Sequence, residues 1–179
     1  MKVLTILFFI ILNFNVYGNT TTNWKLVKNV DKMTNELESC VIMSKFAKAD
    51  KELSFPYNKL QSNIVISGKL KPLFGFTSEA NLNKDSYTLK DSIGVVKTPN
   101  RVINTRIKFD KEVKKIQLIQ ILNMKQAIFF YNENDEKQLF KSSKILLELD
   151  WYNEGKIYFE YNLKGVSKAI KNMKEKCRK

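Results

Sequence analysis

The sequence contains no histidine, and this absence excludes several kinds of site. Without imidazole there is no Ser-His-Asp or Cys-His catalysis, no HExxH zinc site and no histidine acid–base chemistry. Two cysteines are too few for a zinc site built from cysteine alone. No GxGxxG or Walker pattern occurs, and six glycines leave little room for a phosphate-binding loop. We therefore predict no cofactor and no metal.

Arginine is also scarce, although the chain is strongly basic. Only Arg101, Arg106 and Arg178 accompany the many lysines, and the formal net charge is +13. This charge favours anionic partners: phosphorylated glycans, a membrane surface, nucleic acid or an acidic protein. No arginine motif interleaved with aromatic residues occurs, so nucleic acid is not expected. AT-rich coding, which enriches lysine, asparagine and isoleucine, explains the composition equally well, and both interpretations stay open.

Long apolar runs are absent except at the N-terminus, which reads MKVLTILFFIILNFNVYG. One lysine, an apolar run and small residues at Val16 and Gly18 predict a secretory signal peptide over 1–18. The run is about 10 residues long, whereas roughly 20 are needed to span a bilayer. We expect residues 19–179 to form one domain without a transmembrane segment in the mature chain. The predicted location is the periplasm, with secretion as the alternative; in a secreted eukaryotic protein Asn19 would be a glycosylation acceptor.

Export changes the interpretation of the two cysteines. In an oxidising compartment an even count suggests a bridge, and Cys40 can pair only with Cys177. Such a bridge would fasten the C-terminus to an early strand and contribute about 5 kcal/mol in the chain-entropy model. Two unpaired buried thiols are the alternative.

Short alternating segments separated by turn residues predict a β-rich chain. The segment 49–59, which includes Pro56, is expected to be a loop, and 132–143 can form a short helix. A turn is expected at 98–101. The predicted strands cover 24–30 (an edge strand), 39–47, 63–68, 70–78, 86–96, 102–109, 113–122, 127–131, 144–152 and 156–163.

A helix is predicted at the C-terminus because apolar residues recur there at helical spacing. One face carries Val166, Ile170, Met173 and Cys177, and the other carries Lys164, Lys168, Lys171 and Arg178. The predicted fold class is therefore α+β: a β-rich single domain of antiparallel, sandwich-like sheets with a C-terminal amphipathic helix.

Two catalytic patterns remain, and each has a simpler explanation. A glycosidase needs two carboxylates that face one bond, and the last hairpin carries Glu148, Asp150, Glu154 and Glu160. Ordinary solvent-exposed charges produce the same spacing. Ser142 and Lys144 have the spacing of some serine–lysine hydrolases, which chance also produces in a lysine-rich chain. No catalytic residue is predicted.

Two surfaces are candidates for partner binding. Trp151 and Tyr152 lie at the predicted hairpin turn, where we expect exposed aromatic side chains. The lysine face of the last helix, Lys164, Lys168 and Lys171, would display cations together. A solvated helix face is the alternative for the lysines. The expected partner is a protein or an anionic component of the cell envelope.

The order of these features resembles small exported bacterial proteins related to the VasI/TagO type VI secretion-associated family. The resemblance rests on the signal peptide, Trp24, DKMTNELESC leading to Cys40, then KILLELDWYNEGKIYFEYNLKGVSKAI and a cysteine near the C-terminus. It is best over 144–177. It implies an exported, disulfide-stapled, β-rich accessory protein with no enzymatic activity, and it brings no catalytic residues.

The chain departs from that family at one point. The secretion-associated members carry a cysteine in a central strand that pairs with the terminal one, whereas the segment 101–109 has none.

The expected function is a non-enzymatic periplasmic accessory or binding protein of the bacterial cell envelope. Association with a secretion system is a more specific version of this function. The alternatives are an inhibitor or immunity protein against a cell-wall enzyme or toxin, and a carboxylate-dependent wall-active hydrolase.

Overall fold

A computed structural model describes residues 23–68, 71–90 and 100–177 of the chain. The predicted signal peptide, part of the predicted strand 86–96, Pro99 of the predicted turn and Arg178 lie outside the described residues. Within the described residues no helix is long and apolar enough to cross a membrane.

Strands dominate the described part of the chain, where eleven strands and two α-helices follow one another. Short 3₁₀ turns occupy Lys84–Ser86 and Leu122–Met124. The elements are β1 (Trp24–Val30), β2 (Leu37–Ser44), β3 (Ala47–Lys48), β4 (Gln61–Ser67), β5 (Leu73–Phe76), β6 (Tyr87–Lys90), β7 (Asn100–Phe109), β8 (Glu112–Ile121), β9 (Ala127–Phe130), α1 (Glu133–Leu139), β10 (Lys144–Trp151), β11 (Gly155–Asn162) and α2 (Val166–Lys176).

The described strands form one antiparallel sheet. Its order is β1-β2-β4-β5-β9-β8-β7-β10-β11, while β3 pairs with β4 and β6 pairs with β7. The β10–β11 hairpin closes through a short turn in which Asn153 and Gly155 have φ angles of 60° and 68°. Asparagine and glycine adopt this left-handed backbone at the lowest cost.

The sheet curls on itself, so that strands far apart in the order come into contact. The outer edge of β11 meets the chain just after β3: Ala49 bridges Phe159, and the Asp50 N–H donates to the Tyr158 carbonyl at 3.0 Å. The rings of Phe76 in β5 and Phe159 lie 5.7 Å apart. The inner faces of β4, β5 and β11 therefore share one core.

Alternation along the strands decides which side chains enter this core. In β10, Ile145, Leu147 and Leu149 are fully buried, whereas Leu146 between them is partly exposed. Each fully buried large side chain contributes roughly 1.5 to 3 kcal/mol. Others in the core are Trp24, Ile42, Ile64, Phe74, Ile107, Phe109, Leu118, Ile128, Phe130, Phe159 and Tyr161.

A buried hydrogen bond ties the last strand to the core. The Tyr161 hydroxyl donates to the Ser62 Oγ at 2.6 Å, and the Ser62 hydroxyl donates to the Gly75 carbonyl at 2.9 Å. Burial raises the pKa of Tyr161, so the phenol stays protonated as a donor.

The two helices cover parts of the sheet. At the start of α1 the Asn132 side chain accepts from the Asn134 N–H, and further along the helix buries Leu139. The helix α2 buries Val166 and Met173 and packs on β1 and β2. The β-rich architecture, the short helix within 132–143 and the C-terminal amphipathic helix are confirmed. The single-domain organisation stays a prediction.

Candidate functional site

The two cysteines lie together, as expected. Cys40 in β2 and Cys177 after α2 are separated by 137 residues, and their Cα atoms are 6.2 Å apart, a disulfide distance. The pairing therefore joins α2 to the strand under it.

The expectation that Trp151 is exposed is wrong. Trp151 is the last inward-facing residue of β10 and is fully buried. Its ring centroid lies 5.6 Å from that of Tyr57 and 5.7 Å from that of Phe76. The residue holds the core together and is unavailable to a partner, whereas its neighbour Tyr152 is 46% exposed.

The hairpin turn is fastened to the loop 49–59. The Ser54 N–H donates to the Glu154 Oε1 at 2.9 Å, and the Lys51 ammonium donates to the Glu154 carbonyl. Glu154 is therefore a clamp between two segments, which explains why a carboxylate occupies the turn.

A third segment completes this end of the molecule. The Tyr152 N–H donates to the Asn81 carbonyl at 2.9 Å, and the Asn81 side-chain amide donates to the Tyr57 hydroxyl at 3.1 Å. Leu82 bridges Trp151 along the backbone. Three chain segments thus converge around the buried Trp151.

Two aromatic side chains project from these fastened segments. Phe55 in the loop 49–59 is 89% exposed, and Tyr152 follows the end of β10. We call this pair, Phe55 and Tyr152, the aromatic tip. Phe55 was not predicted, because nothing in its local sequence distinguishes an exposed loop phenylalanine from a buried one.

The lysine face of α2 is exposed as expected. Lys168 and Lys171 lie on α2, whereas Lys164 precedes the helix, which begins at Val166, so its predicted place on the helix face is wrong. All three face solvent, and within the part of the chain that the structure describes none of them forms an ion pair. Glu175 lies on the same face by helical spacing. This face can attract anions, and its role stays a prediction.

Glu148 is held as an ion by three cationic or hydroxyl donors. Arg106 donates from two nitrogens, the Tyr158 hydroxyl donates at 2.9 Å, and the Lys156 Nζ lies 3.6 Å away. The Arg106 hydrogen bond is the main cause that lowers the pKa of Glu148, against the opposing effect of burial. A catalytic acid needs a raised pKa at neutral pH. The lowered pKa of Glu148 fits a structural ion pair instead.

The other carboxylates of the hairpin do not complete a catalytic pair. Glu160 is exposed and lies 3.3 Å from the Lys144 ammonium. Asp150 is partly exposed and sits opposite Lys156 in the strand register. Glu154 is likewise bound, because its side chain accepts from the Ser54 N–H.

The Ser142 and Lys144 pair is not assembled. The Ser142 hydroxyl donates to the Gln138 carbonyl at 3.0 Å, near the end of α1. The Lys144 ammonium pairs with Glu160 instead. Each group is bound to a different partner, so their spacing in the sequence reflects no shared site.

Comparison with known proteins finds no matching family model, no matching curated protein and no matching solved structure.

Proposed function

We propose that this chain is an exported, non-enzymatic binding protein of the bacterial cell envelope that docks on a protein partner through the aromatic tip. The observation that carries the proposal is that Phe55 and Tyr152 are exposed on segments whose backbone is held by hydrogen bonds to other parts of the chain. Aromatic side chains dominate binding energy at protein interfaces.

Rigid presentation supports docking on energetic grounds. Binding costs less when the contacting segments are already ordered, because less conformational entropy is lost. The Glu154 clamp and the Asn81 contacts order the loop and the turn before any partner arrives.

A crosslinking pull-down from an envelope fraction tests this function. The bait is the purified oxidised chain, compared with the Phe55→Ala, Tyr152→Ala double variant. Met33→Ala is the control, because Met33 is an equally exposed apolar residue (92%) in the β1–β2 turn. We expect the double variant to lose its partner by roughly tenfold or more, since each interface aromatic contributes at least about 1 kcal/mol.

The melting temperature of each variant is measured to check the fold, and we expect it to match that of the wild-type chain because all three side chains lie at the surface. Undiminished recovery of the same partner by the double variant would remove the aromatic tip from the proposal. Equal losses in the tip variant and the Met33 control would point to nonspecific adhesion.

An inhibitor or immunity protein is the second candidate function, and the same tip favours it. An inhibitor would need a protruding loop, and the acidic segment 132–136 is not one, because it lies at the start of α1. The turn after β10 with Phe55 is therefore the part that would enter an enzyme cleft. Stoichiometric inhibition of a peptidoglycan hydrolase that Tyr152→Ala abolishes would favour this function over accessory binding.

Two finer proposals accompany this function. The hydrogen bond between Ser62 of β4 and Tyr161 of β11, and the ring contacts of β5 with β11, support a sandwich-like closure of the curled sheet. The relationship to the VasI/TagO type VI secretion-associated family, the periplasmic location and a secretion-system role rest on the sequence features given above. Capture of a secretion-system component by the bait would support that narrower role.

A further inference from the structure

A polar groove of about 640 Å³ lies on the outside of the sheet, and its lining does not include the two aromatic tip residues. Its floor is the β7–β8 ribbon at the level of Asn104, Arg106, Lys115 and Gln117. The two strands that flank this ribbon both leave it at the same level. The pairing of β6 with β7 begins at Tyr87, opposite Ile103, and the pairing of β9 with β8 ends at Phe130, opposite Leu118. Ile103 and Leu118 are themselves register partners.

The departing segments become the walls of the groove. Just before β6, Asp85 and Ser86 of the 3₁₀ turn line one side, where Asp150 and Lys156 of the last hairpin join them. Beyond β9, Tyr131, Asn132 and Asp135 line the other side. Because each wall comes from the strand topology, the groove is a built feature of the fold.

The charge of the groove differs from that of the molecule. The chain carries +13, but the lining has four carboxylates against three cations: Asp85, Asp135, Glu148 and Asp150 against Arg106, Lys115 and Lys156. Two of those cations are bound to Glu148. A polyanion would therefore meet rim carboxylates here, and it would find better attraction elsewhere on the protein.

The groove also lacks the features of an apolar or peptide site. Ile103 and Ile116 border it but are buried, so they offer no open apolar pocket. Peptide recognition by an extended groove uses such pockets for its specificity. The exposed apolar surface of the lining is the ring of Tyr131, which is 38% exposed.

The floor instead offers paired donors and acceptors. The Gln117 amide donates to the Asn104 carbonyl oxygen at 3.0 Å. This bond leaves the Asn104 amide hydrogens and the Gln117 carbonyl oxygen, on two residues paired in the strand register, without another partner among the described residues. A neighbouring donor and acceptor match groups that can both give and accept hydrogen bonds.

We propose that this groove binds a neutral oligosaccharide. Sugar hydroxyl and acetamido groups both donate and accept, which suits the amide pair and the rim carboxylates. A pyranose ring has an apolar face that can pack on Tyr131. The Glu148 network holds Arg106 on the floor and Lys156 in the wall, so these donors are fixed before the ligand arrives.

Isothermal titration of the full oxidised chain tests the proposal. The probe is the tetramer of β-1,4-linked N-acetylglucosamine, and a heparin tetrasaccharide is the anionic comparison. We expect the neutral probe to bind equally at low and high salt, because no ion pair forms. Tyr131→Ala and Gln117→Ala should each weaken binding roughly tenfold. Phe46→Ala is the matched control, since it removes an exposed aromatic side chain (55%) that belongs neither to the groove lining nor to the aromatic tip.

Chemical-shift changes in the wild-type chain locate the ligand independently of any variant. Shifts confined to 104–106, 115–117 and 131–135 support the groove. The proposal is overturned if the neutral probe does not bind, if binding is unchanged in the two groove variants, or if heparin alone binds. Failure of the groove leaves the aromatic tip untouched, because the pull-down variants lie outside the groove lining.

Discussion

At the scale of single residues, Glu148 shows how a carboxylate is fixed as an ion on the outside of a sheet. It is 8% exposed, and every described partner of its side chain is a donor. Its position on β10 alternates with the core residues, so it lies on the face opposite to Leu147 and Leu149. The network therefore joins β10 to Arg106 of β7, where the regular pairing of the two strands has ended.

Replacing this carboxylate should lower stability in a pH-dependent manner. The pKa of Glu148 lies below its usual value of 4.5, because Arg106 donates to the ionised form. Its contribution is thus present above the ordinary value and is lost as the pH falls through the lowered one. We expect Glu148→Gln to reduce the free energy of unfolding by about 1 to 2 kcal/mol at neutral pH, a modest cost because the Arg106 side chain is 48% exposed.

Urea unfolding at neutral and acidic pH measures this effect. Glu160→Gln is the control, since the exposed Glu160–Lys144 pair is expected to contribute only a few tenths of a kcal/mol. A Glu148→Gln deficit that stays the same in acid would contradict the assignment of Glu148 as an ion pair.

The aromatic residues mark how far local sequence can predict a site. Trp151 continues the inward alternation of Leu147 and Leu149 and is buried, so the expectation of exposure gave too much weight to its position beside the turn. Tyr152 follows in the outward direction and is exposed. Phe55 could not be assigned, because a loop has no periodicity and its exposure depends on contacts with the distant Glu154 turn. Strand alternation predicts which side chains face the core only within a strand, and it gives no information about loops.

At the scale of elements, α2 depends on contacts at its two ends. Val166 and Met173 bury its apolar face, and the Lys28 ammonium donates to the Lys176 carbonyl at 2.7 Å. A cation near the carbonyl end of a helix is favourable to the helix dipole. Beyond these contacts, the Cys40–Cys177 pair is the covalent attachment that the geometry allows.

Removing that attachment should loosen α2 before the sheet. We expect a Cys40→Ser, Cys177→Ser variant to lose about 5 kcal/mol of stability in the chain-entropy model, because the closed loop spans 137 residues. Hydrogen exchange should accelerate most in α2, with β7 and β8 least affected. Reductant on the wild-type chain is the control and should reproduce the pattern. Unchanged exchange in α2 would mean that the bridge does not hold the helix.

Local patterns predicted elements better than they predicted their arrangement. The β10–β11 hairpin was predicted from alternation, and α2 was predicted from helical spacing. Both patterns can be recognised within one short stretch of sequence. The groove could not be predicted, since it depends on where the pairing of β6 with β7 and of β9 with β8 stops, and both stop at the same level of the sheet. Pairings between distant segments leave no local signal.

At the scale of the whole molecule, positive charge is distributed unevenly. The lysine face of α2 is exposed without ion pairs among the described residues, whereas the groove lining has one more carboxylate than cations. Different partners can therefore be attracted to different faces. The net charge alone does not identify a ligand, because salt screens interactions between exposed charges beyond about 10 Å.

The proposed function rests on export, because the compartment decides which partners the aromatic tip can meet and whether Cys40 and Cys177 are oxidised. The most direct test is the intact mass of the protein recovered from producing cells, with and without reductant and alkylation. The account predicts cleavage after Gly18 and a mass lower by two hydrogens than that of the reduced chain. An uncleaved N-terminus, or two thiols alkylated without reductant, would contradict an exported, disulfide-stapled binding protein.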